Sequence, residues 1–163
     1  MAVDMFLRIE GINGESKDSK HPDRIQVLSW SWDVSQTGTA GTGSGLTAGK
    51  VEHHDIEIRK LVDKASPVLY KYCCNGTHIP SADLYVRKAA GGDEALEYLV
   101  IHFDDLIITS FNLGGLPKAD QIEEALKINY SKVTITYTPQ DSAGQGMPPV
   151  MGGWDLQANK ALA

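Results

Sequence analysis

Val3, Met5, Leu7 and Ile9 alternate with polar or smaller residues until Gly11 and Gly14 mark a turn, the period of a strand with one buried face. A charged connection over 15–24 leads into a second strand predicted for 25–36. Its apolar register shifts between Val27 and Leu28, which predicts a bulge of the kind that bends a strand at a barrel corner. Trp30 and Trp32 share one face of it and bring enough area to anchor it in a core. A third strand is predicted over 51–61, with Ile56 and Ile58 on one face. Ser66-Pro67 then reads as an N-cap followed by proline at the first helical position. Val68, Leu69, Tyr72 and Cys73 follow at helical spacing, and Asn75-Gly76 closes a single helix over 66–75.

Strands are predicted next over 79–88 and 96–103, joined by a turn at Ala89-Ala90-Gly91-Gly92-Asp93, with 109–113 extending the same hairpin system before Gly114-Gly115-Leu116-Pro117 breaks it. The last long strand covers 124–138. Leu126, Ile128 and Tyr130 hold one register and Val133, Ile135 and Tyr137 the other, so a bulge or bend is expected between them. The sum is an all-β chain: one β-barrel or two-sheet sandwich over residues 1–163, with one short flanking α-helix and a long glycine-rich arm. Two strands are apolar on both sides, Leu99, Ile101 and Phe103 against Leu96, Tyr98 and Val100, and again at Leu106-Ile107-Ile108. A strand with one solvated face alternates more cleanly. Either the monomer's own elements cover the second face, or another copy of the chain does.

The arm, 38–49, carries Gly38, Thr39, Gly41, Thr42, Gly43, Gly45 and Gly49, and Leu46 is its only large apolar side chain. It reads as an interaction arm or as plain disorder.

Charge and composition narrow the functions. A net charge of −6 disfavours nucleic acid, which needs a basic patch. Apolar runs such as Leu99-Val100-Ile101 fall far short of the roughly 20 residues that cross a bilayer, so no membrane insertion is expected. Asp4, Arg8 and Glu10 interrupt any leader-like apolar stretch, so the chain is expected either to stay in the cytosol or to leave by a route without a cleaved signal peptide. Cys73 and Cys74 are adjacent and form no disulfide framework.

Candidate chemistry is sparse. Ala48-Gly49-Lys50 fails as a phosphate loop, because Ser44 and Val51 stand where a glycine and a hydroxyl residue are required. Of His53, His54 and Asp55, only His53 and Asp55 fall on one face of a strand, too few for a metal site, and His102 with Asp104 has the same weakness. Asp104 and Asp105 diverge as neighbours, and Gly43-Ser44-Gly45 lacks the spacing of a nucleophile elbow. No enzyme, cofactor or metal is expected.

The opening Met1 to Phe6, the turn Gly14 to Asp18, Val27-Leu28-Ser29-Trp30-Ser31-Trp32 with its glycine-rich arm, Tyr98 to Ile101, and Gly153-Trp154-Asp155 with Asn159 together resemble the haemolysin-coregulated protein (Hcp) family. That family supplies the tube of the bacterial type VI secretion system. The resemblance, which spans the chain, implies a phage-tail-tube-like protomer assembled into hexameric rings. The rings stack into a tube that a contractile sheath expels beneath a spike of the valine-glycine repeat type, and small effector proteins travel in the lumen. It also implies synthesis in the bacterial cytoplasm and export by the type VI machine. Within it, some of Ser29, Ser31, Asp33 and Ser35, opposite the tryptophans, are expected to face the lumen, Ser31 first; the alternative for them is an ordinary solvated strand face. The arm would order against the next subunit or the next ring. The competing reading of the whole is a secreted β-barrel effector or binding domain that acts as a monomer or small oligomer.

Overall fold

Alternation along the first strand is realised in part: Leu7 and Ile9 are buried with Met5 packed beside them, and on the other face Asp4 and Arg8 are half-buried while Phe6 is buried between His21 and Arg87. The computed structural model describes residues 3–41, 43, 45–88, 95–118 and 120–162, so the expected turn at 89–93 lies outside the described residues, as does Thr42. The elements are β1 (Val3–Ile9), β2 (Ile25–Gln26), β3 (Ser29–Ser31), β4 (Val34–Ser35), β5 (Glu52–His53), β6 (Ile56–Leu61), α1 (Ser66–Asn75), β7 (Ile79–Lys88), β8 (Glu97–Gly114), β9 (Glu123–Tyr137), β10 (Val150–Asp155) and β11 (Lys160–Ala161).

β1, β7, β8 and β9 form an antiparallel run. β9 then serves two partners, β6 along Glu123 to Ile128 and β10 along Lys132 to Tyr137, and β11 closes on β10. The segment 25–31 joins the far ends. β2 lies on β1 and β3 on β6, and the chain changes partner where the register shift was expected: the Val27 N–H donates to the Met5 carbonyl (3.0 Å) and the Leu28 N–H to that of Arg59 (2.8 Å). The all-β class stands. The barrel description is refined, because among the described residues no continuous ladder closes the sheet and this two-residue crossover makes the join. Leu7, Ile25, Ile56, Ile58, Leu84, Phe103, Leu126 and Ile128 fill the interior, with Leu69 of α1.

Several boundaries differ from expectation. The strand expected at 25–36 is three short pieces, and that at 51–61 is broken at His54-Asp55, because the β4–β5 pair forms a separate two-stranded sheet that turns away. The strands expected at 96–103 and 109–113 are one, β8. The helix has the expected span and ends on left-handed Gly76, but Ser66 does not cap it. Ala65 stands at the N-cap with no side chain capping the helix; Asp63 Oδ1 accepts the Ala65 N–H (3.0 Å) just before it, while the Ser66 hydroxyl accepts from the Asp63 N–H and from Lys60.

The register change expected in 124–138 is a bend shared by two strands. Burial switches faces between Phe103 and Leu106 in β8 and between Tyr130 and Val133 in β9. The pairs Asp104–Lys132 and Leu106–Tyr130 stay in step, so neither strand slips at the bend, and the ladder's register shift comes later, between Ile108 and Ser110. Asp105 takes the strain at φ 46°, its carboxylate accepting from Ser131 Oγ (3.0 Å) and pairing with His78 (2.8 Å); those bonds hold its acid below the usual range. The two-faced strand is half-covered by its own chain, with α1 lying on β8 (Tyr70 to Phe111, 5.8 Å) and the Lys88 ammonium 5.8 Å from the Tyr98 ring.

Candidate assembly surfaces

On one side of the β3–β6–β9 sheet every second residue is small or polar. Ser29 pairs with Arg59 and Ser31 with Glu57, while Glu57 and Arg59 pair in turn with Lys127 and Ala125. Arg59 and Glu57 form an ion pair (3.2 Å), and Asp55 accepts from Asn129 Nδ2 (2.8 Å) and from Thr109. Ser31 and Asp33 line one cleft with His54, Asp55, Glu57 and Lys127. All four expected lumen residues are exposed, and Ser29 lies on the same face of β3 as Ser31. Ser35 lines a different cleft, with Lys50, His53 and Trp154, because the strand breaks after Ser31.

Behind this face the segment is fixed by aromatic packing. Trp30 and Trp32 are half-buried against the core, and Trp32 meets the edges of Phe103 and Tyr130 at 6.4 and 6.3 Å. The Trp32 indole N–H donates to the Tyr130 hydroxyl, which donates to the His54 carbonyl (3.0 Å). Burial pushes that phenol up to about 12, so it stays a donor.

The His53 ring lies edge-on to Tyr130, and burial lowers its pKa; Asp55 is engaged elsewhere, so the two do not act together. Among the described residues no three His, Cys, Asp or Glu side chains converge as metal ligands. Cys73 and Cys74 are free thiols. His102 joins Asp83 (2.6 Å) and Asp104 (3.0 Å) on the β7–β8 part of the sheet, where Arg8 also binds Asp83, and Arg87 binds Asp4 and Asp18.

The arm is a hairpin that prolongs the β4–β5 ladder. Gly49 N–H donates to the Thr37 carbonyl (3.1 Å), Gly38 bridges Ala48, and Thr39 N–H donates to the Thr47 carbonyl (3.2 Å). Gly43 and Gly45 turn it at φ 73° and 89°, values that suit glycine, and Gly41 is exposed beside them. Leu46 is 77% exposed.

One cluster was missed at the level of sequence. Lys60 is fully buried, and its ammonium donates to Glu124 Oε2 (2.8 Å), Asp63 Oδ1 (3.0 Å) and Ser66 Oγ (3.1 Å). The signal was there: Lys60 continues the inward series Ile56, Ile58, and Glu124 begins the inward series Leu126, Ile128. Neither charge announces its partner until the two strands are paired.

The comparisons agree with this architecture. A family model described as type VI secretion system effector, Hcp, matches residues 6–137. Protein hcp1 of Pseudomonas aeruginosa is 42% identical over 161 residues, covering 98% of both chains. Among solved structures, Hcp1 from Salmonella typhimurium superposes with a TM-score of 0.82 at 39% identity, covering 99% of this chain and all of the other. A type VI secretion system effector from Yersinia pestis gives 0.76 at 35% identity, covering 93% and 99%. With the matched region running from β1 to the end of β9, and with whole-length likeness in both sequence and fold, the chain belongs to the Hcp family of type VI secretion system proteins.

Proposed function

We propose that this chain is the tube subunit of a type VI secretion system. Six copies close into a ring, rings stack into the inner tube that the sheath drives out beneath the valine-glycine repeat spike, and the lumen carries small effectors. The role is mechanical, with no catalytic step, and the protein leaves the cytoplasm through the same machine without a signal peptide.

The observation that supports this reading best is the face bearing Ser29, Ser31, Glu57, Arg59, Lys127 and Asn129. It is a polar sheet surface of serines, an asparagine and charges of both signs, backed by packed tryptophans. Such a surface lines a channel without gripping what passes. An adhesive binding domain would instead present the buried aromatic anchors of a hot spot.

Light scattering on the purified protein tests the assembly: six times the 17.7 kDa chain mass is expected, and a solitary 17.7 kDa species at every concentration would favour a monomeric secreted domain. Ser31→Arg tests the lumen. Ring mass is expected to be unchanged and co-purifying effector to be lost; full retention would return Ser31 to an ordinary solvated face.

A further inference from the structure

Asparagine is followed by glycine twice in the chain, at Asn13-Gly14 and at Asn75-Gly76. Such a pair carries a latent reaction, because glycine leaves the backbone nitrogen unshielded and free to rotate. That nitrogen can attack Cγ of the preceding carboxamide. A new N–Cγ bond closes a five-membered succinimide while the Cγ–Nδ2 bond breaks. Ammonia departs with the proton that the glycine nitrogen gave up, and water then opens the ring at either carbonyl to leave aspartate or isoaspartate. A folded chain permits the attack only where the glycine N–H is weakly held and little packs around it.

Gly14 is held firmly. Its N–H donates to the Asp23 carbonyl (2.8 Å), and it is buried against the backbone that enters β2. A Cβ at this position would stand 2.5 Å from the Arg24 carbonyl oxygen and 2.7 Å from the Ile25 Cα. Turning the Asn13–Gly14 peptide therefore means lifting the whole 15–24 connection. That connection is pinned twice, by Asp18 on Arg87 and by the His21 ring, which lies 4.7 Å from both Phe6 and Tyr85.

Gly76 is held by one bond. Its N–H donates to the Tyr72 carbonyl (3.0 Å) at the end of α1, and a helix opens from its ends at little cost. Asn75 and Gly76 are both exposed, and among the described residues nothing outside the helix packs within 4 Å of where a Gly76 Cβ would be. The carboxamide is also prepared for attack. Asn75 Oδ1 accepts from the Thr77 N–H (3.0 Å) and from the Thr77 hydroxyl, donors that polarise the carbonyl and meet the charge its oxygen takes on in the tetrahedral intermediate. Nδ2, the leaving nitrogen, has no hydrogen-bond partner among the described residues.

We propose that Asn75 is a site of spontaneous deamidation in the folded protein, and that Asn13, in the same dipeptide, is protected. The product adds a negative charge at the C-terminal end of α1, where the helix dipole is already negative and the last turn holds no basic residue. Isoaspartate also inserts a methylene into the main chain just before the Gly76 cap. The step needs only water and mild base and no second copy of the chain, so it stands apart from the tube reading.

The test keeps the full chain folded in mild alkali at physiological temperature, beside a sample unfolded in urea. Peptide mapping by mass spectrometry follows each site, and methyltransferase labelling identifies isoaspartate. Both pairs are expected to convert in urea. In the folded sample Asn75 is expected to convert and Asn13 to lag it by about tenfold or more, since only the helix end opens locally. Equal rates at the two sites of the folded chain, or a faster Asn13, would overturn the assignment. So would a folded chain that converts at neither site while the urea sample converts at both. Thr77→Val keeps the backbone donor and loses the hydroxyl; with its fold established by circular dichroism, it is expected to slow Asn75 several-fold. Faster conversion in that variant would overturn the activating role of Thr77.

Discussion

His102 is held by two carboxylates, one on each ring nitrogen, an arrangement that only the doubly protonated imidazolium satisfies. Burial pulls its pKa down, but the bonds to Asp83 and Asp104 outweigh it, and the net shift is upward from 6.5. A raised folded value means stability fully present below the unfolded value and lost as pH rises through the folded one. His102→Gln is expected to lower stability by about 0.5–1 kcal/mol in mild acid, a discounted figure for a side chain partly open to solvent, and to converge on wild type in alkali. Melting curves of both proteins across the neutral range check this, and a constant gap would refute it. Asp18 behaves in the opposite sense. Its bond to the Arg87 guanidinium holds it down at about 2, so its contribution is complete above the ordinary carboxylate value of 3.8 and fades as pH falls toward about 2. Asp18→Asn is expected to remove that acid-side fall, as measured by tryptophan fluorescence.

At the scale of elements, the buried Lys60 ties together β6, β9 and the approach to α1, three pieces that local sequence leaves independent. Lys60→Met would leave Glu124 and Asp63 without their cation, at a cost of about 3–5 kcal/mol. Pairing it with Glu124→Leu is expected to recover most of the loss, because Glu124 Oε1 is buried and accepts no hydrogen bond among the described residues. Urea denaturation of the single and double variants decides it; a double variant as weak as the single one would show that the pair does more than neutralise itself. Gly14 is a second joint. A Cβ there would stand 2.5 Å from the Arg24 carbonyl oxygen, so Gly14→Ala is expected to cost about 2 kcal/mol or more by pushing the 15–24 connection off β1.

At the scale of the whole molecule, a charge of −6 on every copy would accumulate around the proposed ring and oppose the approach of a second one. Salt screens such repulsion over about 8 Å at physiological strength. In the proposed tube, stacks are expected to lengthen with added salt while the ring mass stays constant, and sedimentation across a salt series reads both. Deleting residues 39–48 is expected to weaken stacking more than ring formation. Equal tube yield from the deleted protein would remove the arm from the assembly.

Much of the architecture was legible along the chain because it is local: the strand period, the helix between Pro67 and Gly76, and the break in register at Val27-Leu28 each follow from side-chain spacing and backbone freedom, although the sequence suggested a bulge there and the structure shows a change of partner. Residues such as Ser31 were legible as outward-facing for the same reason. What only the folded chain decided lies between segments far apart in sequence. The pairing of Lys60 with Glu124, the shared bend at Asp105 and Ser131, and the separation of Ser35 from Ser31 all depend on which strands become neighbours. That choice is made by burying apolar faces collectively, and no single stretch of sequence contains it.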